Sequence, residues 1–487
     1  MAENIRLTES LIVAVYLLAM IGIGIYFSKR AQRSEDQYWT AGRNINSFVG
    51  GVALFAALAS ASSLMGAVGG GVSLGLPFLM TYGFAATAIL PFVVFLVSGQ
   101  IRRTGVRTLP EYFKIRYNKA VAGVAAVIVV IAMTFYMVPQ LTASGLIGGY
   151  VLGWEFNTAV IVLGIGFTLY AALGGMWAIT YTDLIQGLVM VTGLAIVATV
   201  IWVQHDGAFN LIEEALAVDP ELGDISQHWM TYFGIFLAFL WFGVISPSAV
   251  MRNFASKSAK VARRSAFVAA ILYASVFVFG FMMAAAGARM GIIGDLDNAD
   301  MVFLHVIEAY LPPLVAGILL AALISAIMSS ADAMLLAISA GVSQDIYKEF
   351  INPEAREKTV VRLGLVVMFV AVGVGIVITL AEPGLIAVMV GWVGGALLSA
   401  FGFPIVLGIW WKRANAAGAM AGMLGGGITF VILVSGEYFA LVAEPIIAAP
   451  VSLVLMITVS LLTAPPPQHI QDQVDLMHTD VPDRVEA

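Results

Sequence analysis

Hydrophobic runs of roughly 20 residues follow one another along almost the whole chain, separated by short stretches rich in Gly, Pro and charged residues. A run of that length crosses the hydrocarbon core of a bilayer as a helix. The pattern predicts thirteen such helices, at about 9–28, 47–73, 76–100, 119–152, 157–175, 180–204, 228–251, 264–288, 311–345, 359–381, 384–411, 416–436 and 441–463. The expected fold class is an all-α membrane protein with thirteen transmembrane helices. The first run ends in Ser28-Lys29-Arg30-Ala31-Gln32-Arg33 without a small-residue cleavage pattern, so it reads as a retained span. After Pro465-Pro466-Pro467 the sequence turns polar, and residues 464–487 are expected to form a mobile cytoplasmic tail.

The polar punctuation also orients the chain, because Lys and Arg flanking spans are retained on the cytoplasmic side. With the first loop inside, all but Arg6 and Arg289 of the 24 Lys and Arg fall on inside segments. The loop at about 206–227 is acidic instead, with Asp206, Glu213, Glu214, Asp219, Glu221 and Asp224. An odd number of spans with the N-terminus outside and the C-terminus cytoplasmic follows, in an inner or plasma membrane.

Composition narrows the function. Of 487 residues, 60% are hydrophobic and 11% charged, and the mean hydropathy of +0.95 excludes a water-soluble enzyme as a whole-chain reading. The net charge of −6 supplies no footprint for nucleic acid. The sequence has no Cys, which removes disulfides, thiolate metal sites and cysteine nucleophiles. No Walker loop, zinc motif or nucleophile elbow occurs, so the chain reads as no enzyme, and either an ion gradient supplies its energy or the protein is passive. No obligatory protein partner is evident; the partners expected are the lipid bilayer, an ion and a small solute.

Two spans look broken. The second carries Ser60-Ala61-Ser62-Ser63 followed by Gly66, Gly69, Gly70 and Gly71, and the seventh carries Ser246-Pro247-Ser248, where Pro247 removes a backbone hydrogen bond in mid-span. Interrupted spans at matching places in two five-helix halves, here about 47–204 and 228–411, point to an inverted-repeat secondary transporter with its site between the breaks. Gly and Pro also serve plain packing in membrane helices, the competing reading.

The ninth span holds Ser329-Ser330-Ala331-Asp332. Adjacent hydroxyls can give two ligands to one small cation if the carbonyls of the unwound second span supply the rest. Alternatively, the pair bonds back to its own helix. Asp183, at the start of the sixth span, is either a first-turn acid or a functional carboxylate. Asp332, on the face of Ser329 inside an apolar run, is a functional residue by default. No Lys or Arg appears in mid-span, so an anionic solute is expected to rest on N–H groups at the helix breaks.

These residues resemble the sodium:solute symporters. The likeness runs from about residue 10 to 463 through Tyr38-Trp39-Thr40-Ala41-Gly42-Arg43, Thr108-Leu109-Pro110-Glu111-Tyr112, Gly174-Gly175 with Thr182-Asp183, and the run from Ala326 to Ser330 ending in Gln344-Asp345-Ile346-Tyr347-Lys348. The pantothenate and monocarboxylate branch is the most similar, through Ser60-Ala61-Ser62-Ser63 and Leu407-Gly408-Ile409-Trp410-Trp411. The resemblance implies one Na+ on the carbonyls of Ala56, Ala59 and Ala326 and the hydroxyls of Ser329 and Ser330. It also implies a solute cavity near Ser60, Ser62, Ser63, Gln140, Trp241 and Phe242. Certain members bind a further sodium beside the residue matching Asp183; here Asp332 and Ala333 stand where those members carry hydroxyls. Asp183 and Asp332 are therefore candidates for a second cation or a shared proton. The expected function is sodium-coupled import of a small organic acid, pantothenate-like or a short monocarboxylate, by alternating access. The alternatives are sodium-coupled uptake of proline or another amino acid, and a proton-coupled carrier using Asp183 and Asp332. Some proline carriers have an aspartate where this chain has Leu58.

Overall fold

The computed structural model describes residues 7–479 except 227, 293, 295, 297, 382 and 383. Arg6 and the last eight residues of the tail lie outside the described residues. Helices carry the fold, and no strand occurs among the described residues. In chain order they include α1 (Leu7–Ala31), α2 (Ser47–Leu58), α3 (Ala67–Ser73), α4 (Leu76–Pro91), α5 (Lys119–Leu152), α6 (Phe156–Gln204), α7 (Trp229–Ile245), α8 (Pro247–Ala255) and α9 (Ala259–Met290). They continue with α10 (Val302–Tyr310), α11 (Pro313–Ala340), α12 (Glu357–Ala381), α13 (Ile386–Leu397), α14 (Ala416–Ser435), α15 (Pro445–Leu462) and α16 (Gln468–His478). Side-chain caps fix several starts: Asn46, Asn118, Ser258 and Asn415 each accept the N–H three residues on, satisfying a donor that has no partner within its helix.

Among the described residues, ten helices are long and apolar enough to cross a membrane, and the bent pair Ser47–Leu58 and Ser62–Ser73, taken as one span, makes an eleventh. Of the thirteen spans expected, the other two fall on the shorter apolar helices Leu76–Ala85 and Phe156–Leu169. In α6 the fifth and sixth expected spans run together through Gly175, whose φ of +51° a side chain would resist and whose missing Cβ leaves room for the Tyr38 ring. α11 lies at the centre, packed on α1, α5, α6 and α12. Its residues from Leu319 to Ala340 are all buried, as expected of a helix apolar on every side.

The tail departs from expectation. Residues 468–478 form α16, with Ile470, Val474 and Met477 buried on one face. Arg103 donates to Met477 O at 2.9 Å and Lys412 pairs with Asp475 at 2.7 Å, so this part of the tail is docked. The spacing of those three apolar residues is a helical stripe, which outweighs the polarity of the segment as a whole.

Candidate functional site

The second span breaks where its hydroxyls cluster. Serine side chains offer the backbone hydrogen bonds that compete with the helix ladder. After α2, Ala59 leaves helical geometry at ψ 85°, and a π-turn over Ser62–Gly66 restarts the helix with a bend of 61°. Groups freed by the break find side-chain partners: the Ala61 N–H donates to Gln140 Oε1 at 3.2 Å and the Ser62 N–H to Ser60 Oγ at 3.2 Å. The Ser60 and Ser62 hydroxyls lie 2.7 Å apart. The Ser63 hydroxyl is 3.3 Å from Leu58 O, 2.9 Å from Tyr273 Oη and 3.2 Å from Tyr82 Oη. Gln140 follows Pro139 on α5 and keeps its Nε2 buried with no hydrogen-bond partner among the described residues.

Ser60, Ser62, Ser63 and Gln140 therefore meet at one place. Phe242 joins them through Tyr136, one turn before Gln140, whose ring it meets edge-on at 5.2 Å. Trp241 instead packs on Phe403 at 5.5 Å. Tyr82, Tyr136 and Tyr273 contribute three buried hydroxyls that the sequence reading did not single out. An aromatic residue in an apolar run reads as packing, and only the fold reveals that its polar end faces another polar group.

The serine pair on α11 lies against the end of α2. Ser329 Oγ donates to Ala56 O at 2.8 Å and is 3.2 Å from Ala326 O; Ser330 Oγ donates to Ala57 O at 3.4 Å. Ala59, the other expected carbonyl, sits at the break itself and donates its N–H to Phe55 O at 2.8 Å. All of these residues are buried. Carbonyl and hydroxyl oxygens without a formal charge suit a weakly bound monovalent ion, and no group of three or more His, Cys, Asp or Glu among the described residues forms an alternative metal site.

The seventh span is interrupted as expected. Ser246 adopts ψ 116°, its hydroxyl is 2.9 Å from that of Ser248, and Pro247 opens α8, where its missing N–H costs nothing. α8 carries a residue the sequence reading missed. Arg252, 5% exposed, donates from Nη2 to Asp183 Oδ2 at 2.6 Å and from Nη1 to Ser248 O at 3.1 Å. The seventh span runs on to Ala255, four residues past the expected end at 251, so Arg252 stands in its last turn and not in the loop that follows. The signal was present: an Arg five residues after a mid-span Pro is the last turn of a half-helix, where its charge complements the dipole. Asp332 is fully buried one turn beyond Ser329. Both Asp183 and Asp332 lie within electrostatic range of the Tyr16 hydroxyl, which accepts from Ser325 at 2.7 Å.

A further buried acid lies toward the other end of the broken helix. Asp300, in the turn before α10, accepts the Ile386 N–H at the start of α13 through Oδ2 at 3.0 Å, while burial pushes its carboxyl up to about 6. It sits so close to Gly69 of α3 that a Cβ there would come within 2.9 Å of its backbone. The absence of a side chain at Gly69 thus allows α3, the Asp300 turn and α13 to close on one another.

The chain is 28% identical over 455 residues to the sodium/pantothenate symporter of Escherichia coli (strain K12), covering 89% of this chain and 92% of that protein. It is 29% identical over 450 residues to the osmoregulated proline transporter OpuE of Bacillus subtilis (strain 168), covering 86% and 87%. Among solved structures, a Na+-coupled sialic acid symporter in a substrate-bound outward-open state superposes with a TM-score of 0.78 at 22% identity, covering 95% of this chain and 99% of that one. That likeness establishes the broken-helix transporter fold. The family model described as "Sodium:solute symporter family" matches residues 38–426, the greater part of the sequence. The chain belongs to the sodium:solute symporter family.

Proposed function

We propose that this symporter carries sodium inward down its gradient together with a small organic acid, pantothenate-like or a short monocarboxylate, by alternating access around the breaks in the second and seventh spans. The polar groups at the second-span break carry this reading. Ser60, Ser62, Ser63, Gln140, Tyr82 and Tyr273 offer hydroxyls, an amide and backbone N–H groups, and none of them is a carboxylate or a base. Such a set recognises a carboxylate through N–H and O–H donors and a solute's own hydroxyls through exchangeable partners. It holds no fixed negative charge for the ammonium of an amino acid, and Leu58 stands where some proline carriers have an aspartate. Of the two relatives above, the pantothenate symporter is thus the better guide, and the proline transporter marks the second reading.

Sodium is assigned to the carbonyls of Ala56, Ala59 and Ala326 and the hydroxyls of Ser329 and Ser330. The bonds from Ser329 to Ala56 O at 2.8 Å and to Ala326 O at 3.2 Å support this, because the ion would take over oxygens that now satisfy one another. Asp183 already has a cation in Arg252, which favours a structural part for it over a second sodium or a proton relay with Asp332. The repeats are placed at about 47–204 and 228–411, with the N-terminus outside and the C-terminus in the cytoplasm.

Uptake into proteoliposomes of radiolabelled pantothenate, acetate, pyruvate, lactate and proline, with and without a sodium gradient at fixed pH and membrane potential, tests the reading. Sodium-dependent uptake of an organic acid is expected. Uptake of proline alone would select the amino-acid alternative, and uptake indifferent to sodium would refute coupling.

A further inference from the structure

Three hydroxyls from three segments meet beside the second-span break. Ser63 stands in the π-turn that restarts the helix, Tyr82 on α4 and Tyr273 on α9. All three residues are buried. Edge-on contacts fix the two phenol rings: Tyr82 meets Phe239 at 4.0 Å and Phe277 at 4.8 Å, and Tyr273 meets the same Phe277 at 5.2 Å. Rings held in this way carry their hydroxyls at set positions.

The bonds among these hydroxyls are slack. Ser63 Oγ lies 2.9 Å from Tyr273 Oη, but 3.2 Å from Tyr82 Oη and 3.3 Å from Leu58 O, and the two phenol oxygens are 3.4 Å apart. A good O–H···O bond spans about 2.5–3.0 Å, so all of these contacts but the first are stretched. The neighbouring hydroxyls of Ser60 and Ser62 close to 2.7 Å, so the break does not itself prevent a close approach. Two residues before Ser63, the Ala61 N–H donates to Gln140 Oε1, while Gln140 Nε2 is buried with no hydrogen-bond partner among the described residues. An unused amide N–H suits a carboxylate, whose oxygens only accept. A hydroxyl both donates and accepts, so one inserted among Ser63, Tyr82 and Tyr273 replaces stretched bonds with shorter ones. A methyl group in the same place separates the three and leaves buried hydroxyls unpaired, which is costly.

We propose that the hydroxyls of Ser63, Tyr82 and Tyr273 set the solute class: the symporter takes carboxylic acids that carry a hydroxyl, which sits among these three, in preference to the same acids without it. The proposal rests on the organic-acid reading above and narrows it, ranking pantothenate-like and 2-hydroxy acids ahead of acetate and pyruvate.

The test follows the melting temperature of the purified full chain, in neutral detergent at constant sodium concentration, against two matched pairs of acids and proline. The pairs are lactate with propionate, and pantothenate with 3,3-dimethylbutanoyl-β-alanine, which has the same skeleton without the two hydroxyls. In the wild type the hydroxylated member of at least one pair is expected to give the same shift at a concentration about tenfold lower, or lower still. Y82F and Y273F each remove one hydroxyl and keep the ring. Both are expected to reduce that ratio to about threefold or below by weakening the hydroxylated acid alone, with the response to its partner acid near that of the wild type. A tie that merely holds the helices together would weaken both members equally. The wild-type ratio tests the proposal even where a variant does not fold. Equal responses to both members of each pair in the wild type, or variants that keep the wild-type ratio, would overturn the proposal and leave the organic-acid reading standing. A shift with proline and none of the four acids, or with none of the five probes, would overturn that reading itself, and the proposal with it.

Discussion

Replacing Arg252 by Met keeps the length and apolar stem of the side chain and removes its charge. In the wild type the two charged groups are 2.6 Å apart, with side chains 4% and 0% exposed, so neither exchanges its partner for water. Removing one partner leaves the Asp183 carboxylate buried and unmatched, with its Oδ1 already lacking a hydrogen bond among the described residues. The loss on breaking such a pair is about 3–5 kcal/mol, far above the 0–1 kcal/mol or so of a surface pair. The double variant D183N/R252M removes both charges and is expected to recover more than half of that loss. The assay is the midpoint of thermal unfolding of the detergent-purified protein, read by retention of the monodisperse chromatographic peak, for the wild type, both single variants and the double variant. Single variants as stable as the wild type, or losses that simply add in the double variant, would refute a desolvated ion pair joining α6 to α8.

Two further outcomes follow from the same geometry. Asp300 binds its proton more tightly in the folded protein, near pH 6, than in the unfolded chain, near 3.8. Its contribution to stability therefore falls by about 3 kcal/mol as pH rises through that window and is level above it. D300N, which keeps an acceptor for the Ile386 N–H, is expected to lose this portion of the pH dependence in melting curves from pH 4 to 7, and an unchanged profile would count against a buried, uncompensated carboxylate. The chain lacks native Cys, so single cysteines at the exposed positions Lys257 and Gly223 report sidedness cleanly. An impermeant maleimide applied to intact cells is expected to label Gly223→Cys and not Lys257→Cys, and the reverse would invert the orientation drawn from the basic residues.

The features legible in the sequence were those with a local physical cause. Ser60, Ser62 and Ser63 ahead of four glycines announced the second-span break, and Pro247 announced the seventh, because both act on the backbone ladder of their own helix. That the serine pair would meet carbonyls of the second span was legible as well, since a hydroxyl pair in a buried helix calls for oxygens from elsewhere, while Ala56 itself came from the resemblance to the sodium:solute symporters. What escaped the reading depended on contacts between distant segments. Arg252 looked like a loop residue until α8 carried it to Asp183, sixty-nine positions away. Tyr82 and Tyr273 are 191 residues apart in sequence, and each reads as a membrane aromatic. Asp300 sits in a short polar turn that is buried by segments distant in sequence, Gly69 and the start of α13 among them. In α16 the stripe Ile470, Val474 and Met477 was visible, but net polarity masked it.

The central claim is that sodium rests between the end of α2 and the serine pair of α11, and the sodium dependence of solute uptake in S329A and S330A tests it most directly. Each substitution removes one neutral oxygen ligand, on the order of 1.5 kcal/mol of binding. The sodium concentration for half-maximal uptake is therefore expected to rise about tenfold in proteoliposomes, with the melting temperature near that of the wild type. Wild-type sodium curves in both variants would contradict the account and return Ser329 and Ser330 to helix packing.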